Sequence, residues 1–160
     1  MAPVRIRLFQ ETDVPALHGV FYSAIHQLAA GYYAPAQLDA WAPADRDMAQ
    51  WRERMLGIKP YVAEIDGRIA GYADLQADGY IDHFFVSGDF GRRGVGTALM
   101  SHILAQAEAR QLTALTSDVS LAAEVFFTSF GFEVETRQAV PVRGQVLHNA
   151  KMRKRLVIGV

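Results

Sequence analysis

The chain has 160 residues, 17 acidic and 16 basic side chains, and no cysteine. That length fits one domain able to bury roughly two-thirds of its unfolded surface, and 51 % apolar with 21 % charged residues is ordinary for a soluble globular protein. A net charge of −1 gives no general attraction to nucleic acid or anionic membrane, and the missing thiols exclude disulfides, thiolate metal sites and a cysteine nucleophile. The start, MAPVRIRLFQETD, has no apolar core of signal-peptide length and no run approaches a membrane span, so one cytoplasmic domain over residues 1–160 is expected.

Val4 to Phe9 alternates and predicts a first strand. Asp13 stands as a helix cap with Pro15 in the first turn, and Val14, Leu17, Phe21, Ile25 and Leu28 form a helical apolar stripe that Gly31 ends. Tyr32 to Pro43 is rich in turn residues, and Asp45 or Asp47 starts a second helix through Trp51 and Met55 to Gly57. Tyr61 to Ile65 and Arg68 to Leu75 are strands joined by Asp66-Gly67, a strong hairpin signal. Gly79 turns the chain into a strand from Tyr80 to Val86, completing a meander.

Next comes the stretch FFVSGDFGRRGVGTALM, residues 84–100. A strand ends at Val86, Gly91-Arg92-Arg93-Gly94-Val95-Gly96 follows, and Val95, Leu99 and Ile103 then recur at helical spacing. Glycines let the backbone approach a ligand closely, the first helical amides lack intrahelical partners, and the helix dipole adds positive potential. With two arginines at the entrance, the loop suits phosphate. Thr113 to Asp118 is a strand, Ser120 caps a helix to Phe130, Gly131 closes it, and 132–142 with 145–155 form a terminal hairpin around Arg143-Gly144. The order predicts an α/β (mixed α+β) fold, a central, mostly antiparallel sheet of about seven strands flanked by about four helices.

Three readings compete for the glycine loop. A dinucleotide fingerprint needs a third glycine or alanine where Leu99 stands, although Asp118 lies at a suitable distance for a ribose. A nucleoside-triphosphate loop lacks its lysine, and a plain glycine turn with solvated arginines leaves the remaining motifs unused. Those motifs decide. Val86 to Gly96 resembles motif A of the GNAT superfamily of acyl-coenzyme A N-acyltransferases, Gln/Arg-x-x-Gly-x-Gly/Ala after a strand ending in Val. Ala123-x-x-Phe126-Phe127-x-x-x-Gly131-Phe132 resembles the family's Ala-x-x-Phe-Tyr-x-x-x-Gly-Phe. Tyr33-x-Pro35-x-Gln37-x-x-x-Trp41-Ala42, Tyr80-Ile81-Asp82 and the closing Arg143-Gly144 with Asn149-x-x-Met152-Arg153 are similar to the bacterial YafP-like branch.

The resemblance implies a GNAT-like domain that moves acetyl from acetyl-CoA directly to an amine of a small molecule or peptide. It implies cofactor contacts at Phe85, Val86, Gly91, Arg92, Arg93, Gly94, Val95, Gly96, Thr97, Asp118, Ser120 and Phe126, with the Val86 amide meeting the oxyanion. Tyr80 aligns with family glutamates that serve as base; Asp82, two residues on and on the same strand face, is the first choice for the base, His83 faces away unless a bulge intervenes, and Ser120, Tyr80 or water would protonate the thiolate. Ser120 aligns with an asparagine that contacts the pantetheine arm. His26, Tyr32, Tyr33 and Trp41 would border the acceptor. Two departures stand out: Gly91 replaces the Gln/Arg of motif A, leaving Arg92 to substitute, and Phe127 replaces the tyrosine that protonates the thiolate. Phe127 keeps a second class open, a non-catalytic CoA-binding module of the same fold. The histidines form no metal-binding spacing, the Lys151–Arg155 tail suits an edge strand better than nucleic acid, and the last hairpin offers a possible homodimer contact.

Overall fold

A computed structural model describes residues 2–157. Eight strands, β1 (Arg5–Arg7), β2 (Tyr61–Ile65), β3 (Arg68–Ala73), β4 (Tyr80–Ile81), β5 (Phe84–Val86), β6 (Ala114–Ser120), β7 (Glu133–Val142) and β8 (Gln145–Arg155), combine with five α-helices. The helices are α1 (Val14–Ser23), α2 (Pro35–Trp41), α3 (Met48–Ile58), α4 (Val95–Ala109) and α5 (Glu124–Ser129). The mixed α/β class stands, but the strands form two four-stranded sheets rather than one of about seven: β1-β2-β3-β5, all antiparallel, and β4-β6-β8-β7, in which only β4–β6 is parallel.

Alternation along the strands builds two cores. Val62 and Tyr72 face α1 and α3, where Leu17, Phe21, Trp51 and Met55 are buried, with Ile25 just beyond α1. Ala63 and Ala73 face α4 with Leu99, Met100 and Ile103. Gly71 permits this second contact, since a Cβ there would stand 2.9 Å from the Val95 side chain. Both hairpins form where the turn residues place them: Asp66-Gly67 and Arg143-Gly144 have positive φ throughout (51°, 75°, 42° and 83°), the type I′ geometry that matches strand twist.

Three local expectations differ. Asp13 does not cap α1; its carboxylate is drawn to the Arg7 guanidinium at 2.8 and 2.9 Å and takes the Gln10 N–H. The first helix passes into a π-helical turn at Ala24–Leu28 instead of running regularly to Gly31. Tyr32 to Pro43 contains α2, opened by Pro35 in its first turn and by the Gln37 side chain, which accepts the Ala34 N–H at 2.8 Å.

Candidate active site

The expected strand from Tyr80 to Val86 is broken at Asp82-His83. Asp74, an acid with 0 % exposure, accepts the N–H groups of both Asp82 and His83 on one oxygen, each at 2.8 Å. Those amides are thereby withdrawn from strand pairing. β4 pairs with β6 before the break and β5 with β3 after it, so the sheets part between β5 and β6. Burial lifts the Asp74 carboxyl to about 6, against the opposing pull of the backbone hydrogen bond from His83.

The gap exposes backbone. Ser87 N–H donates to Ala70 O at 2.8 Å, so the preceding Val86–Gly71 pair is non-hydrogen-bonded and the Val86 N–H points away from β3, into the gap. A narrow apolar cleft of about 190 Å³ occupies it, walled by Phe84, Phe85 and Val86 on one side and Ser120, Ala123 and Phe126 on the other. Gly96 is part of the wall. A Cβ there would sit 3.2 Å from the Phe126 ring and 3.8 Å from Val86, so any larger residue would grow into the cleft.

The glycine loop leads to that wall. Gly94 adopts φ +79° at the helix start, a conformation that disfavours a side chain, and the first helical bond runs from Ala98 N–H to Gly94 O. The amides of Val95, Gly96 and Thr97 therefore have no intrahelical acceptor. Arg92 and Arg93 form no ion pair among the described residues, and Arg93 Nε is buried without a partner. Ahead of the loop, Ser23 Oγ accepts the Gly88 N–H at 2.9 Å and ties it to α1. Gly91, Arg92, Arg93, Gly94, Val95 and Thr97 line neither cleft; Gly96 alone of the motif does.

A second, polar cleft of about 1280 Å³ opens beside the first and shares Trp41, Phe85 and Ser120 with it. Tyr80, Asp82 and His83 all border it, because the break places His83 on the side that a continuous strand would deny it. Asp82 is paired with Arg54. His83 is almost enclosed among Phe21, Trp51, Tyr72 and Phe85; Nδ1 shares a hydrogen bond with the Tyr72 hydroxyl at 3.0 Å, and burial pushes the imidazole down to about 4. Tyr80 donates to Asp118 at 2.8 Å, and Gln138 donates to the other Asp118 oxygen at 2.9 Å. Burial, then the adjacent Asp118, holds the Tyr80 phenol well above its ordinary value. Asp118 thus lies in the wide cleft and not in the narrow one. Ser120 accepts the Ala123 N–H at 3.3 Å, as a cap would, while facing both clefts.

Of the expected acceptor residues, Tyr33 and Trp41 border the wide cleft, whereas His26 and Tyr32 line neither. His26 donates to Ala42 O at 2.7 Å and stacks on Tyr22, and Tyr32 is 54 % exposed. The Tyr33 hydroxyl is occupied structurally, donating to His148 O at 2.6 Å and accepting the Leu121 N–H at 3.0 Å. Phe127 is buried against Phe84, Phe126 and Phe132. Sequence reasoning passed over Asp74, Arg46, Arg54 and Gln138. Only Asp74 carried a signal, an acid inside the apolar run IAGYADL. The described residues contain no cluster of three or more potential metal ligands and no helix long and apolar enough to cross a membrane.

Two splayed sheets, with a glycine-opened helix beside the split and a narrow cleft running into a wide one, define an acyltransferase fold. The Acetyltransferase (GNAT) domain family matches residues 29–156. The chain is 32 % identical over 153 residues to the "Uncharacterized N-acetyltransferase YafP" of Escherichia coli (strain K12), spanning 96 % of this chain and 97 % of that one. It superposes with TM-score 0.91 and 33 % identity on the "GCN5-Related N-acetyltransferase: Aminotransferase, Class-II" from Rhodopseudomonas palustris, over 98 % of both chains. The PaiA N-acetyltransferase from Thermoplasma acidophilum, solved with coenzyme A, shares the fold at 14 % identity and TM-score 0.73, over 96 % of this chain and 99 % of that one. This chain belongs to the GNAT acetyltransferase family.

Proposed function

We propose that the protein is an N-acetyltransferase that moves acetyl from acetyl-CoA directly to an amine of a small molecule or peptide. The observation that carries it is the free Val86 N–H at the head of a narrow cleft that meets a polar cleft at Phe85 and Ser120. The cradle fits a long anionic cofactor: unpaired amides of Val95, Gly96 and Thr97 and the two arginines for its pyrophosphate, and the apolar walls from Phe84 to Val86 and Ala123 to Phe126 for its arm. Acetyl-CoA supplies an activated thioester carbonyl.

The residues then divide the work. Val86 N–H meets negative charge developing on the carbonyl oxygen. A primary amine of pKa about 10.4 is roughly 0.1 % neutral at pH 7.4, and supplying the neutral form costs about 4 kcal/mol. Asp82 is the proposed proton acceptor, directly or through water, with Arg54 orienting its carboxylate. His83 is enclosed by Phe21, Trp51, Tyr72 and Phe85 with its Nδ1 engaged by the Tyr72 hydroxyl, and serves as a wall. As nitrogen bonds to the acyl carbon and the carbon–sulfur bond breaks, the thiolate takes a proton. With Phe127 in the core and the Tyr80 proton tightly held, no side chain is dedicated to that step. A thiol of pKa about 8.5 lies only about one unit above physiological pH, so water, or a Ser120 hydroxyl relaying from it, suffices.

Thiol release from acetyl-CoA against a panel of amines, beside calorimetric binding of CoA, tests the reading. Asp82→Asn is expected to retain CoA binding and lose about 10²–10⁴-fold in kcat; unchanged turnover removes Asp82 from the mechanism. CoA binding without release from any acceptor would instead favour the non-catalytic binding module that Phe127 suggests.

A further inference from the structure

The wide cleft holds an unpartnered cation that acetyl transfer by itself does not explain. Three arginines border it: Arg46, Arg54 and Arg143. Arg54 is neutralised by Asp82, and Arg143 donates to Ala40 O at 2.7 Å. Arg46 has no carboxylate partner among the described residues, and its Nη1 is buried without any hydrogen bond. Its guanidinium stands 5.1 Å from the ring centres of both Phe21 and Trp51, which hold it in place. Burial, then the charges of Arg143 and Arg54, lower its proton affinity, against an opposing pull from Tyr72.

The acids on the cleft wall do not relieve this. Asp118 is engaged by Tyr80 and Gln138, Asp82 by Arg54, and Glu53 forms no ion pair among the described residues. A planar guanidinium in the cleft wall with a buried, unpartnered nitrogen is complementary to an oxyanion, which accepts N–H groups. We infer that the acceptor is a small amine that also bears an oxyanion, a carboxylate or a phosphate-type group, received by Arg46 with Arg143 while its nitrogen lies toward Asp82. This rests on the acetyl-transfer reading and narrows its substrate class.

The arginines and Asp82 line one cleft. Arg46 packs on the same two rings, Phe21 and Trp51, that flank His83, the neighbour of Asp82. Amino acids and aminophosphonates carry an amine and an oxyanion in one small molecule and match that chemistry. A neutral or purely cationic amine would leave Arg46 unsatisfied.

The test uses matched acceptors: amino acids, their carboxamides, and the corresponding aminophosphonates, in the thiol-release assay. Calorimetric binding of the N-acetyl acids and N-acetyl amides to the CoA-loaded protein runs beside it. The anionic members are expected to exceed the amides by about tenfold or more in kcat/KM and in affinity, the range of a charge-assisted hydrogen bond. Arg46→Gln and Arg143→Gln should each pull that ratio toward one, with CoA binding as the control for folding. The carboxylate-to-phosphonate ratio identifies which oxyanion is read. Equal use of amides and acids, or a ratio untouched by both substitutions, would overturn the inference while leaving acetyl transfer intact. Preferential binding of the N-acetyl acids with no thiol release from any acceptor would uphold the anion site and defeat the transfer reading.

Discussion

Asp74→Asn probes the device that splits the sheet. The Asp74 carboxyl is fully enclosed, and burial raises it from 3.8 to about 6. A carboxyl raised in the folded state binds its proton more tightly there than in the unfolded chain. Its contribution to stability is therefore greatest below the unfolded value and declines as pH rises through the folded one. A gap of about two units at ~1.36 kcal/mol each gives a decline of ~3 kcal/mol. Asparagine has no titrating proton but keeps an oxygen for the Asp82 and His83 N–H groups, while the Gln76 amide, which donates to the other oxygen at 3.3 Å, turns over to accept. The stability of the native protein minus that of Asp74→Asn should then fall by about 3 kcal/mol between about pH 3 and pH 7 and stay level on either side. Carboxyls held low by arginines, such as Asp13 beside Arg7, work in the opposite direction but cancel in the difference. Urea unfolding followed by circular dichroism across this range measures it. A difference that stays level would mean that Asp74 titrates like an exposed acid, and would refute the account of how the strand is broken.

Gly96→Val should abolish CoA binding by calorimetry, weakening it by about 10²-fold or more, because the side chain enters the cleft between Phe126 and Val86; unchanged thermal unfolding would confirm an intact fold. Retained affinity would mean that the narrow cleft does not take the cofactor arm. Tyr33→Phe removes a hydroxyl that joins His148 O to the Leu121 N–H, and should cost about 1–3 kcal/mol in urea unfolding, with a smaller change in KM for acceptors than in stability. A large loss of turnover at unchanged stability would instead give that hydroxyl a chemical role.

Much of this molecule follows from local chemistry. Asp66-Gly67 and Arg143-Gly144 make their hairpins because residues able to adopt positive φ stand between alternating strands. Gly94 and Gly96 place unpaired amides and an open wall at the start of α4 for the same kind of reason: one takes a left-handed conformation, and the other leaves room for Phe126. The β2–β3 hairpin, the long helix and the terminal hairpin were all legible in periodicity and turn residues. So were the motifs of the family. α2 was hidden because Pro35 and the Gln37 side chain reaching back to Ala34 open it within a passage that otherwise resembles turns.

What needed the tertiary structure is everything that depends on burial and on partners distant in sequence. Tyr80 to Val86 has an unbroken strand pattern, and only the enclosure of Asp74 beneath it shows where the amides of Asp82 and His83 go. That one contact separates the sheets, turns the Val86 N–H into the gap and brings His83 to the same cleft as Asp82. Arg46 lies between two aspartates in the sequence and looks like an exposed turn residue; packing on Phe21 and Trp51 makes it a desolvated cation with an idle hydrogen-bonding face. The residues on the chain determined its strands, turns and helix starts, because those obey steric and hydrogen-bonding rules over a few residues. The site's electrostatics were decided by the fold, because the free energy of a charge depends on how much water remains around it and on which groups from elsewhere in the chain replace that water.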